Sequence, residues 1–210
     1  MICVVTGADG SGKSTACKNI AKQIESQLGS GTVGVVSIWD SVNQSQLFAS
    51  KQDVVHYLND LDGYTRTLFL FHALSRSIDL AQRKKPKIIV VDGYWYKYAV
   101  SEIGQGVSID DVLAAARGFV PPNIVFCLDI DPQISKSRKS EVSQYEQGSD
   151  TQGAAFDRFL QFQNRLAPIW IEIEKRSGPW IHLSSQLDLL TLSEMISKQC
   201  LQEVDLHASG

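Results

Sequence analysis

Ile2-Cys3-Val4-Val5-Thr6-Gly7-Ala8-Asp9-Gly10-Ser11-Gly12-Lys13-Ser14 opens the chain with an apolar run that breaks into a glycine-rich turn. Residues 7–14 read Gly-x-x-x-x-Gly-Lys-Ser, the phosphate-binding P-loop. Glycines let the backbone curl so that several N–H groups aim at a polyphosphate. Lys13 would bridge its outer phosphates, and the Ser14 hydroxyl would hold Mg²⁺. The motif needs a strand before it and a helix after it. Here a β-branched run precedes, and residues 14–24 follow with apolar spacing suited to a helix, whose dipole adds partial positive charge at the loop. The plainer reading, an ordinary Gly/Ser turn, leaves that agreement of both flanks unexplained. The expected donor-site set is Gly7, Asp9, Gly10, Ser11, Gly12, Lys13, Ser14 and Thr15, with ATP as the cofactor.

Working outward, strand-like runs recur at residues 33–38, 88–91, 124–128 and 180–183. Helical patterns cover residues 13–28, 64–84 and 109–116, the last opened by Ser108 as a cap. A further helix follows Pro132, a favoured first helical position. A long one runs through Phe156, Phe159, Leu166 and Ile173, with Pro168 inside it, and a last one spans residues 187–203. Alternating strands and helices predict an α/β chain with a mostly parallel sheet. Strands that are apolar throughout predict helices on both faces. The 210 residues fit a single domain, and no internal repeat is present. Residues 41–53 and 140–153 read as irregular polar segments. The second lies between two helices and is a candidate lid, spanning about 138–153 with its leading arginine.

Composition narrows the function. Hydrophobic content of 43% and charged content of 20% are ordinary for a globular protein. A net charge of −3 gives no basic field for a nucleic-acid polymer. No apolar run approaches the roughly 20 residues of a membrane span. The first residues enter a strand at once, so no signal peptide is expected. The four cysteines lack metal-ligand spacing and read as buried hydrophobes of a reducing cytoplasm. A second carboxylate stands out: Ile88-Ile89-Val90-Val91-Asp92 is an apolar strand ending in an acid. Asp92 is placed to hold the Mg²⁺ shell beside Ser14, or else to cap the turn at Gly93.

Several segments, in order along nearly the whole chain, resemble thymidylate kinases and related P-loop nucleotide kinases. The P-loop itself is similar to the family's Gly-x-Asp/Glu-Gly-x-Gly-Lys-Ser/Thr-Thr. Asp92-Gly93-Tyr94, with Tyr98-Ala99 behind it, resembles the family's Asp-Arg-Tyr/His segment. Residues 122–132, containing Leu128-Asp129-Ile130-Asp131-Pro132, resemble its Leu-Asp-Val-x-Pro strand and turn. Arg138 falls where a lid arginine follows, and Phe71 to Arg76 resembles the helix that contacts the acceptor. The resemblance implies a P-loop fold with a five-stranded parallel sheet, ATP-dependent phosphoryl transfer to dTMP with Mg²⁺, and a homodimer. It implies catalytic roles for Lys13, Arg138 and Asp92. It also implies acceptor contacts from Asp9 to a sugar hydroxyl, and from Phe71 (or His72), Arg76, Tyr94 and Tyr98. Gly10 stands where some relatives carry arginine, so the lid must supply the extra cation, with Lys136 or Lys139 assisting Arg138.

The pattern departs from the family at the acceptor end. Ile38-Trp39-Asp40-Ser41 replaces an Arg-bearing loop, and Gly93 replaces a second arginine. Lys97 and Arg76 are the nearby cations left to compensate. Asp40 suggests a different chemistry, a general base for an uncharged nucleoside or other alcohol, with Trp39 against a base. A third reading is a weakly catalytic NTP-binding protein. No Asn-Lys-x-Asp element supports a GTPase.

Overall fold

The structure, a computed structural model, describes residues 1–43, 50–149 and 151–208. Five strands form one sheet: β1 (Ile2–Gly7), β2 (Val33–Val36), β3 (Ile88–Asp92), β4 (Ile124–Asp129) and β5 (Ile181–Ser184). Their order is β2-β3-β1-β4-β5, and every pairing is parallel. The apolar strands bury both faces, as their unbroken hydrophobicity requires. Cys3, Val5, Val90, Phe126 and Leu128 join one core with α1 (Lys13–Leu28) and the C-terminal helix. Val4, Val91 and Val125 face the other way, into a core with the helices that follow β2, β3 and β4.

The further helices are α2 (Ile38–Asn43), α3 (Lys51–Asp60), α4 (Gly63–Gln82), α5 (Tyr94–Gly104), α6 (Ile109–Ala116), α7 (Pro132–Ser137), α8 (Ala155–Ser177) and the C-terminal α9 (Leu189–Ala208), which packs in the first core with α1. Helices α1 and α6 occupy the residues their periodicity predicts. Ser108 stands at the α6 N-cap without a side-chain cap bond, whereas Asp131 caps α7 by accepting from the Gln133 N–H at 2.7 Å. Pro168 lies inside the single helix α8.

Three expectations change. The second strand stops at Val36, and Ile38 opens α2 instead of closing a strand. Residues 41–53 are not simply irregular: 41–43 end α2 and 51–53 begin α3, while 44–49 lie outside the described residues. Helix α5 was not expected. Its Tyr-Trp-Tyr-Lys-Tyr start has strand-forming side chains, yet Tyr94, Trp95, Tyr96 and Tyr98 all bury against the neighbouring helices, and tertiary packing overrides intrinsic preference. Among the described residues no helix is long and apolar enough to cross a membrane.

Helix α5 seats on α8 through a glycine. A Cβ at Gly104 would collide with the Leu166 side chain and meet Phe162 Cε2 at 3.2 Å. Gly104→Ala is therefore expected to destabilise the fold by about 1–3 kcal/mol through overpacking. Urea unfolding, with an unchanged m-value, is the measurement.

Candidate active site

Strand β1 lies between β3 and β4, so its C-terminal turn is flanked by the ends of both. Gly7 lies against the β4 backbone, where a Cβ would sit 2.5 Å from the Leu128 carbonyl oxygen. Gly10 and Gly12 take φ of 80° and 90°, which only glycine adopts freely. A side chain at position 10 would also strike the Ser135 hydroxyl, which donates to the Asp9 carbonyl at 2.5 Å. A side chain at this position is thus strained by the backbone and crowded by Ser135. Lys13 is buried, with Nζ donating to the Ala8 carbonyl at 2.7 Å. Burial and Lys97 push its ammonium pKa down, against Asp9 and Asp92.

The end of β3 supplies the second half of the donor site. The Ser14 hydroxyl donates to Asp92 Oδ2. Two hard oxygen groups converging beside Lys13 are the donor set that Mg²⁺ prefers, so Ser14 and Asp92 fit that ion. Together these loops and strand ends line a cleft of about 770 Å³, shared by Asp9, Lys13, Ser14, Thr15, Trp39, Asp40, Asp92, Lys97, Tyr98 and Arg138. Gly10 and Gly12 line it too. Ser11 is buried behind them, and its hydroxyl lies 3.4 Å from Lys13 Nζ.

Lys97, expected only as a substitute cation, takes a specific place in the structure. Gly93 is tied to β1, its N–H donating to the Val5 carbonyl at 2.8 Å and its carbonyl accepting from Thr6 Oγ1 at 3.0 Å. Gly93 and Tyr94 both have positive φ, 85° and 50°. This turn launches α5 with Lys97 one helical turn on, its Cβ and Cδ 3.5 Å from where a Gly93 Cβ would be. Lys97 Nζ then reaches Asp9 Oδ1 at 2.6 Å. Burial alone would raise the Asp9 pKa, but Lys97 and Lys13 outweigh it and hold it at about 2. A lysine four residues after a glycine that replaces an arginine was the sequence signal for this placement.

Asp40 lines the cleft but also has a structural task. Its Oδ2 accepts the Ser37 N–H at 2.6 Å, capping the start of α2. Arg138, at the end of α7, donates to the Ser185 carbonyl at 2.9 Å and stands 3.5 Å from the Gly10 carbonyl. Its expected helpers turn elsewhere: Lys136 pairs with Asp157 at 3.4 Å and Lys139 with Glu146 at 2.6 Å, and neither lines the cleft.

Three expected acceptor contacts fall outside the cleft. Tyr94 is buried, its hydroxyl donating to the Val120 carbonyl, because the positive-φ turn at Gly93 and Tyr94 sends its ring into the core. Phe71 is buried against Trp95 and Phe119. Arg76 is exposed on α4 and does not line the cleft. The α4 periodicity establishes a buried stripe without showing which stripe meets a ligand.

The Asp9–Lys97 pair carries a pH dependence. Asp9 titrates near 3.9 when unfolded and at about 2 when folded. A depressed folded value means a stability contribution that is complete above about pH 4 and is lost as pH falls through about 2. Asp9→Asn should flatten the acid limb of stability in that window, measured by denaturant unfolding at stepped pH.

No protein-family model matches the chain. Two curated relatives match it over most of its length. A thymidylate kinase of Leptospira borgpetersenii is 24% identical over 188 residues, covering 84% of this chain and 86% of the relative. A probable thymidylate kinase of Methanocaldococcus jannaschii is 23% identical over 184 residues, covering 87% and 92%. Among solved structures, the deoxyadenosine kinase of M. mycoides, determined with dCMP and dCDP bound, superposes with a TM-score of 0.61 at 19% identity. That match covers 96% of this chain and 100% of the other. The P-loop between β3 and β4, the parallel five-stranded sheet and these relatives together make the chain thymidylate kinase-like, with the P-loop fold of the nucleotide and nucleoside kinases.

Proposed function

We propose that this protein transfers the γ-phosphoryl group of ATP to a nucleoside monophosphate, with dTMP as the first acceptor to test. The observation that carries the reading is the pair of cations on opposite sides of the P-loop. Lys97 lies beside Asp9 on the β3 side, and Arg138 beside Gly10 on the β4 side. Phosphoryl transfer needs positioning and positive charge around the moving group more than covalent help. A monophosphate acceptor adds a dianion to a cleft that already holds the donor phosphates. An uncharged acceptor would not call for a further cation on that side.

In this reading the P-loop N–H groups and Lys13 hold the donor phosphates. Ser14 and Asp92 would hold Mg²⁺, which would screen charge between donor oxygens. Arg138 swings from the Ser185 carbonyl onto the transferring group. Asp9 accepts from an acceptor sugar hydroxyl, while Lys97 serves the acceptor phosphate in place of the arginine absent at Gly93. Tyr98 and Trp39 form walls of the acceptor end. The described residues act as one kinase domain, with residues 138–153 as its lid. A reducing cytoplasm suits its four free cysteines. Tyr64 and Leu68, exposed on α4, are apolar groups that a homodimer would cover, and sedimentation of Leu68→Lys tests that assembly.

A second reading is favoured by Asp40 and Trp39, which line the same cleft. Asp40 would then act as base on a nucleoside or other alcohol. The two readings separate in a coupled ATPase assay with Mg²⁺ across nucleosides and nucleoside monophosphates. The monophosphate reading expects turnover of dTMP or another monophosphate. It expects Lys97→Ala to cost at least about tenfold in kcat/KM for that acceptor, an amount worth about 1.4 kcal/mol, and Asp40→Asn to retain turnover. Turnover of nucleosides alone, abolished by Asp40→Asn, would replace it with the base reading. ATP binding with no turnover on the panel would leave a nucleotide-binding protein.

A further inference from the structure

Outside the cleft lining, the C-terminal parts of β4 and β5 gather a second set of ligand-type side chains. Cys127 and Asp129 are two residues apart on β4 and therefore share one face of the sheet. In the parallel register Cys127 pairs with His182 of β5, which puts the imidazole beside both. A sulfur, a carboxylate oxygen and a ring nitrogen from these three residues lie within 4.8 Å of one another. The contacts among them are already polar. His182 Nδ1 is 3.0 and 3.1 Å from the two Asp129 oxygens.

The remaining side of the imidazole is also occupied. Helix α8 brings Glu174 to the Nε2 side, at 3.1 and 3.2 Å from its two oxygens. A carboxylate on the far nitrogen is the usual support of a metal-binding histidine, because it fixes the ring and raises its basicity. Cys127 is buried, whereas Asp129 and His182 are open to solvent, with side-chain exposures of 56% and 45%. The cluster thus has a floor and an entry path. A tetrahedral zinc ion with bonds of about 2.0–2.3 Å needs its ligands about 3.5 Å apart, and these groups already lie within 4.8 Å of one another.

We propose that Cys127, Asp129 and His182 form a binding site for a divalent transition metal of the zinc class, with Glu174 orienting the imidazole. The set of one thiolate, one imidazole and one carboxylate suits a borderline-soft ion and disfavours Mg²⁺, which the Ser14–Asp92 pair suits instead. Water completes the tetrahedron. On binding, the Cys127 sulfur exchanges its proton for the metal and the proton leaves to solvent. The ion would clamp β4 to β5 at the level of Asp129, whose carbonyl accepts the Ser185 N–H at 2.9 Å. Ser185 in turn anchors Arg138. The site is independent of which acceptor the cleft takes.

The test uses the full chain without an affinity tag, reduced, stripped with chelator and kept in excess Mg²⁺. Titration with Co²⁺ should produce thiolate-to-cobalt charge-transfer absorption that saturates at one ion per chain and is displaced by Zn²⁺. Cys127→Ser should abolish the absorption. His182→Gln, at an exposed position that leaves the fold intact, should weaken Co²⁺ binding at least about tenfold, and Glu174→Gln by about the same. Absence of the charge-transfer absorption, or absorption undiminished in His182→Gln, would overturn the proposal. If Cys127→Ser fails to fold, His182→Gln decides alone.

Discussion

The cleft depends on the parallel hydrogen bonding of β1 to β3 on one side and β4 on the other. That register brings Val5 opposite Asp92 and Gly7 opposite Leu128. The first pairing delivers a carboxylate to the Ser14 hydroxyl. The second demands glycine at position 7, since the β4 backbone leaves no room for a Cβ. In a sheet of this kind ligands gather at the carboxyl ends of the strands. Here Asp92 stands at a strand end, Asp9, Lys13, Asp40 and Lys97 stand in the loops and first helical turns beyond the strands, and Arg138 reaches the cleft from the far end of α7.

Charge in this small space is arranged in opposed pairs. Lys13 is buried, and its repulsion from Lys97 is opposed by attraction to Asp9 and Asp92, which also favour the charged Lys97. Asp9 is an unusual group to find in an anion-binding loop. Its pairing with Lys97 at 2.6 Å gives it a structural reason to be there. Gly10 answers a different constraint, a positive φ and the Ser135 hydroxyl against the loop.

The departures from the thymidylate kinase pattern become one coherent change in the structure. Loss of the arginine at position 93 coincides with a positive-φ turn that starts α5 and places Lys97 over the vacated position. Loss of the arginine-bearing loop after β2 coincides with a short helix whose Asp40 caps its own start. The aromatic residues that follow Gly93 pack with Phe71 and Phe119 in the core between α5 and its neighbouring helices.

The sequence by itself determined the P-loop, the bounds of α1 and α6, and the parallel α/β class, because these follow from local backbone demands and from the period of apolar residues. Asp92 was also legible as a strand end, while Arg138 was singled out by the family resemblance and by its place before the polar segment. Which side chains meet in the cleft was a tertiary decision. Arg76 and Phe71 sit on a helix whose period shows a buried stripe without its direction, and packing turned both away from the P-loop. Helix α5 was hidden because aromatic and β-branched residues suit a strand until α4 and α8 cover them. Lys97 needed the turn at Gly93 to reach Asp9. The meeting of Cys127, Asp129 and His182 across β4 and β5 required a strand register that spacing along one chain cannot express, since their neighbourhood is created by hydrogen bonds between strands more than fifty residues apart.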